Sequence, residues 1–300
     1  MRLILTMLSM VLLFGHIDAQ EQQIRIIHTN DIGGVLVDQG SGNGLAARIT
    51  GAKHLSQGIP HLIVDAGNAL GPDIRSAWEG GRSVVEAFRA SGYDAIGMGH
   101  HDFDYGTDSL RARNKQAGFS FLAANVKSAR PQDRLPFEPY LISKVGDVRI
   151  GLIGLLDEKI AFRMNPESAS DLDVSDPVKS AQATLSALSS YGVDLTVLLL
   201  HADQATSLSI ARSLSGLDLL IVGGHDSNTP EATTTFYKLA NGVHVLTTPP
   251  GGPAVGYTDL SFAKEGSRLV LTDVSPHLLN TIGVIPDSSV SFRADSVQRA

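Results

Sequence analysis

The chain has 300 residues, 43% of them hydrophobic and 18% charged, which is enough apolar side chain to pack a sizeable core in one large domain or two small ones. Its formal charge of −7 is spread along the chain, with no Lys/Arg cluster to track a phosphate backbone. That argues against nucleic acid or a membrane surface as partner. There is no cysteine, so neither disulfides nor a lipid-bearing cysteine are available.

In chain order the sequence begins with a basic residue, Arg2, then an apolar stretch from Leu3 to Phe14, then small and polar residues ending at Ala19. That order predicts a signal peptide over residues 1–19, a mature chain starting near Gln20, and a periplasmic or secreted protein. The apolar stretch falls short of the roughly 20 residues that a spanning helix needs, and no later segment is long enough. No membrane insertion is expected once the leader is removed.

After the leader, apolar β-rich runs alternate with helix-period segments. Strands are predicted over Ile24 to His28, His61 to Val64, Phe119 to Ala123, Val148 to Leu155, Leu195 to Leu200 and Leu217 to Val222. Amphipathic stretches lie between them at Gly44 to Leu55, Gly81 to Ala90, Pro177 to Ser190 and Ala205 to Leu214. The alternation predicts an α/β fold with sheets covered by helices. From Val243 onward the helices stop. Short strands at His244 to Thr247, Tyr257 to Phe262 and Arg268 to Val274 suggest an antiparallel finish, and the cluster Pro249 to Pro253 reads as a loop. One domain is expected over residues 20–274, followed by a tail over 275–300 whose sequence fits a frayed end or a docking helix.

Polar residues crowd the C-terminal ends of the predicted strands, the ends that face the ligand crevice in α/β proteins. They include Thr29, Asn30 and Asp31; Asp65 and Asn68; His100, His101, Asp102 and Asp104; His201; and His225, Asp226 and Ser227. A lone histidine after a strand is more often structural than a ligand. Four at strand ends beside carboxylates make up a donor set for zinc or another transition metal. His28, His54, His61, His244 and His277 lack such company and read as structural.

The chain resembles the calcineurin-like metallophosphoesterases, and within them the catalytic domain of bacterial 5'-nucleotidases. The resemblance rests on Ile27-His28-Thr29-Asn30-Asp31, Val64-Asp65-Ala66-Gly67, Gly99-His100-His101-Asp102-Phe103-Asp104-Tyr105-Gly106, Leu122-Ala123-Ala124-Asn125-Val126, Leu199-Leu200-His201 and Val222-Gly223-Gly224-His225. It implies a four-layer α-β-β-α sandwich with a metal site at the strand ends between two sheets. It also implies that two metals would activate water and bind phosphate oxygens.

On that pattern Asp31, His201 and His225 are retained as ligands, and His101 with Asp104 forms the pair that assists the leaving group. The chain departs at Gly33, where the pattern has His; at Asn68, where it has a bridging Asp; at His100, where it has Asn; and at Ser227, where it has a second His. The losses fall on one metal. The expectation is therefore at most one divalent ion (Zn, Mn or similar), held by His100, His201 and His225 with Asn68 or Asp31 nearby. The implied function is hydrolysis of a small phosphoester or nucleotide, and the alternative is a non-catalytic binding or scaffold protein on the same fold. The resemblance includes no nucleoside-binding domain, so a separate substrate-binding chain is a candidate partner.

Overall fold

The computed structural model describes residues 21–36, 44–224, 236–249 and 254–286. The leader, the loop holding His225 and Ser227, most of the Pro249 to Pro253 loop and the end of the tail lie outside them.

Fourteen strands and seven α-helices follow one another along the described chain. They are β1 (Gln22–Thr29), α1 (Leu45–Leu55), β2 (His61–Asp65), α2 (Ile74–Trp78), α3 (Arg82–Ala90), β3 (Ala95–Gly97), α4 (Gly106–Ala117), β4 (Ser120–Leu122), β5 (Val126–Ser128) and β6 (Tyr140–Val145). Then come β7 (Val148–Leu156), α5 (Pro166–Ser170), β8 (Leu172–Val174), α6 (Pro177–Ser189), β9 (Leu195–His201), α7 (Gln204–Ser213), β10 (Leu219–Gly223), β11 (Phe236–Lys238), β12 (His244–Leu246), β13 (Ala254–Glu265) and β14 (Arg268–Asn280).

Two six-stranded sheets, ordered β14-β13-β1-β2-β3-β4 and β11-β12-β10-β9-β7-β6, pack face to face. The seam is apolar, with Ile24, Ile26, Leu62 and Val64 of the first sheet against Val148, Ile150, Leu152, Val197 and Leu199 of the second. On the outer face of the first sheet, Ile27, Ile63 and Ile96 pack against Leu45 and Ile49 of α1 and Val84 and Phe88 of α3. On the outer face of the second, Leu198, Leu200 and Leu220 pack against Leu185 and Leu188 of α6 and Ile210 of α7. The result is the expected four-layer α-β-β-α sandwich, and it explains why the central strands read as unbroken apolar runs: both faces are covered.

β1 to β4 run parallel, as do β7, β9, β10 and β12. Their carboxyl ends therefore empty at one rim. Asp176 and Asp203 cap α6 and α7 by accepting from the N–H groups of Lys179 and Thr206, which turns the chain back from that rim.

Several short elements were not predicted, and three differences from the sequence expectation matter most. α4 was not predicted because it is mostly polar and buries only Thr107, Leu110 and Ala117, too few apolar marks to show a period. β6 pairs with β7 through a tight turn at Val145 and Val148, so two strands stand where one was expected. The finish is one long hairpin rather than short strands: β14 continues past Val274 to Asn280, paired to β13 along its length. Pro276 sits inside that strand, opposite Thr258. β14 is at the sheet edge, where a proline is tolerated.

His28, on β1 opposite Gly256, is 2% exposed, and burial pushes its pKa down from 6.5 to about 4. A base depressed in the folded state stabilises fully above about pH 6.5, and the contribution is lost as pH falls toward 4. The span is worth about 3 kcal/mol. Urea unfolding of wild type and His28→Gln at a series of pH values should show the variant losing less stability between pH 6.5 and 4, whatever other groups titrate in both. Parallel curves would contradict this placement of His28.

Candidate active site

The loops leaving β1, β2 and β3 meet those leaving β9 and β10 across the seam. After β1, Asn30 is buried and accepts through Oδ1 from the Thr248 N–H (3.0 Å) and hydroxyl (2.6 Å). Its amide donates to Asp31 Oδ2 at 3.0 Å. Asp31 has a left-handed backbone (φ 51°), and its carboxylate accepts the Gly224 N–H at 3.0 Å, joining the first sheet to the second. Gly33 stands two residues on at φ 67°, with its N–H donated to Asn68 O at 2.7 Å. A histidine there would find room but a strained backbone.

After β2, Asn68 also adopts a left-handed backbone (φ 55°). Its Oδ1 accepts the His101 N–H at 3.0 Å, and its Nδ2 donates to Asp31 Oδ1 at 3.3 Å. Because a backbone N–H can only donate, the amide orientation follows from the network. Asp102, fully buried, accepts three backbone N–H groups: Gly99 at 2.7 Å, Leu70 at 2.7 Å and Asn68 at 3.0 Å. Burial pushes its pKa up to about 6 against those bonds. Gly99 is where the loops touch: a Cβ there would stand 2.9 Å from His201 Cε1 and overlap Asn68.

His100 Nδ1 lies 3.2 Å from His201 Nε2. The Nδ1–H of His201 goes to Ala66 O at 3.2 Å, a carbonyl that can only accept, so Nε2 of His201 presents its lone pair. Burial, then the neighbouring His201 and His101, hold the His100 pKa down at about 3. Two imidazole nitrogens on a tetrahedral zinc stand roughly 3.3 Å apart, so the pair fits two ligands of one ion. Beside it, His101 Nδ1 is 2.7 Å from Asp104 Oδ2, and both side chains are partly exposed.

The hydrogen bonds pair the expected metal ligands two by two. His100 meets His201, whereas Asp31 and Asn68 meet each other, and His225 lies outside the described residues, following Gly224. Among the described residues no three His, Asp or Glu side chains converge to hold an ion. The expected set of His100, His201 and His225 with Asn68 or Asp31 is therefore not assembled by them. Among the described residues, the oxygens of Asp31 accept from the Asn30 and Asn68 amides and the Gly224 N–H.

Beneath the site, Asp65 accepts the Thr29 hydroxyl at 2.6 Å and the Gly67 N–H at 2.8 Å, and burial pushes its pKa well up. The buried Arg48 lies in the field of Asp65 and Asp31. Three further residues have structural roles that the sequence did not assign. Asp102 was passed over beside its histidines, and Asn125 stitches β7 by bonding both N–H and C=O of Leu156. Asp157, 2% exposed, donates its N–H to His201 O at 3.0 Å, and burial raises its pKa. Its signal was available: a carboxylate directly after an apolar strand, as at Asp65. A cleft of 1630 Å³ at the other end of the strands is lined by residues such as Gln22, Arg149, Asp194 and Asp218 and by no histidine.

No protein-family model matches the chain. It is 28% identical over 290 residues to the snake venom 5'-nucleotidase of Gloydius brevicauda, covering 86% of this chain and 48% of that protein. The calcineurin-like phosphoesterase YfkN of Bacillus subtilis superposes with a TM-score of 0.78 at 22% identity, over 93% of this chain and 97% of that one. The fold is that of the calcineurin-like phosphoesterases. A 5'-nucleotidase precursor from Thermus thermophilus is similar over 92% of this chain and 58% of that one, with a TM-score of 0.75 and 24% identity. The chain spans about half the length of the curated 5'-nucleotidase relatives it matches. Within this phosphoesterase fold, Asp102 ties the loop after β2 to the turn carrying His100 and His101. Asp102→Ala should leave three buried N–H groups without acceptors and cost on the order of 3 kcal/mol in urea unfolding. A change below about 1 kcal/mol would show that the loops do not depend on it.

Proposed function

We propose that this chain is an exported, metal-dependent phosphoric ester hydrolase of 5'-nucleotidase type, acting with a single-ion centre. The observation that supports it is the neutral His100–His201 pair, 3.2 Å between nitrogens, set beside the His101–Asp104 pair at the strand ends of a phosphoesterase fold. His100 and His201 would hold the ion, with His225 as third ligand from the loop after Gly224. Bound there, a divalent ion supplies Lewis-acid chemistry to water and phosphoryl oxygen. The substrate is a small phosphomonoester, with nucleotides suggested by the names of the relatives. Export is supported by the leader and by the venom origin of one relative.

The chain's own residues have defined tasks. Asp104 accepts the Nδ1–H of His101 and fixes the ring's tautomer, so that Nε2 is the nitrogen that exchanges protons. In its imidazolium form His101 gives the Nε2 proton to the departing alkoxide as the P–O bond breaks, and returns to neutral. Ala66 O holds His201 with Nε2 facing His100.

One observation favours the second reading, a non-catalytic binding protein: the Asn68 amide is spent on Asp31, where a second ion would otherwise be held. On that reading metal binds and aryl phosphate is not hydrolysed. The hydrolase reading predicts no more than one divalent ion per chain by elemental analysis, together with turnover of a generic aryl phosphate. His201→Ala and His225→Ala should each lose the ion and lower kcat by roughly 100-fold or more, while His244→Ala keeps both. Two ions per chain, or equal metal in all three variants, would sink it.

A further inference from the structure

We propose that Asn68 is a clasp that takes the place of a cation between the loop carrying Asp31 and the turn carrying His101. The claim goes beyond the hydrolase reading, since it concerns what orders the rim without an ion.

Position 68 has two obligations of opposite kind. Oδ1 must accept, because the His101 N–H at 3.0 Å can only donate. The other end must donate, because it stands 3.3 Å from the carboxylate oxygen of Asp31. Among side chains of this length only the carboxamide carries both a carbonyl and an N–H group. Aspartate is its isostere and could still accept from His101, but its second oxygen would face Asp31 Oδ1 directly. Two carboxylates at that spacing disfavour each other's charge and need a proton or a cation between them. Asparagine removes the need. The Nδ2–H group supplies positive hydrogen where an ion would sit.

The backbone is arranged around the clasp. Asp31 and Asn68 are the non-glycine residues with positive φ among the described residues, at 51° and 55°. Asn and Asp tolerate that region better than most residues, and a left-handed conformation persists only when its surroundings hold it. Asn68 is held at three points: its N–H to Asp102 at 3.0 Å, its Oδ1 from His101, and its Nδ2 to Asp31. Asp31 is held by Asn68, by the Asn30 amide and by the Gly224 N–H. The clasp thus joins the loops after β1, β2 and β3 of the first sheet and sets the backbone of His101, while Asp31 carries the link to Gly224 of the second sheet. Asn68 is a positioning residue for the His101–Asp104 pair.

The test is thermal unfolding of the mature chain in excess chelator, for wild type, Asn68→Asp, and the exchanged pair Asp31→Asn with Asn68→Asp. It needs neither metal nor activity, so it stands or falls separately from the hydrolase reading. Asn68→Asp should melt about 5 °C or more below wild type. Zinc or manganese should then raise its Tm by more than it raises that of wild type. The exchanged pair, which again sets an amide against a carboxylate, should regain most of the loss in chelator. If Asn68→Asp fails to fold, recovery of folding in the exchanged pair carries the same meaning. An Asn68→Asp variant as stable as wild type in chelator, or an exchanged pair no better than the single variant, would overturn the clasp.

Discussion

The rim of this sandwich depends on one buried carboxylate. Asp102 accepts N–H groups from Gly99, Asn68 and Leu70, and so pins the loop after β2 to the turn after β3 in the space left by a residue without a Cβ. Everything chemical is hung from that junction. The next residue outward on one side is Asn68, which reaches Asp31. On the other side are His100, which reaches His201 across the seam, and His101, which reaches Asp104. Placed without acceptors, the three N–H groups would be buried and unsatisfied, a condition that native structures avoid.

Electrostatically the site is kept close to neutral by its own residues. Burial and like-charged neighbours hold His100 unprotonated, the Ala66 carbonyl sets the proton of His201, and amide donors surround Asp31. Among the described residues, an imidazole pair with an amide at position 68 offers donors for one borderline-soft cation and lacks at that position the anionic bridge that two dications a few ångströms apart need against their mutual repulsion. Beside it, the His101–Asp104 pair is partly exposed.

Much of this was legible in the sequence for a simple reason: strands covered on both faces announce themselves as apolar runs, and the polar residue that ends each run falls at the rim. That rule placed Asp31, Asn68, His100, His101 and His201 at one end of the fold. It missed α4, whose outward face is nearly all polar, and it ended the last strand at Val274, because the edge position that tolerates Pro276 is a property of the sheet. What no spacing could give was the pairing of the side chains. The sequence pattern groups Asp31 with the histidines, whereas hydrogen bonding groups it with Asn68 and Gly224, because an amide and a carboxylate satisfy each other without a third party. Nor does a strand-end aspartate say how deep it lies: Asp65, Asp102 and Asp157 are buried supports, while Asp104 reaches solvent.

The central claim is that the rim holds at most one ion, at the imidazole pair of His100 and His201, and that the place of a second is taken by the Asn68 amide. Anomalous scattering from crystals of the mature protein grown with excess zinc tests it most directly. The account predicts one peak, adjacent to His100 Nδ1 and His201 Nε2, with Asn68 still bonded to Asp31. A peak between Asp31 and Asn68, alone or beside the first, would contradict it.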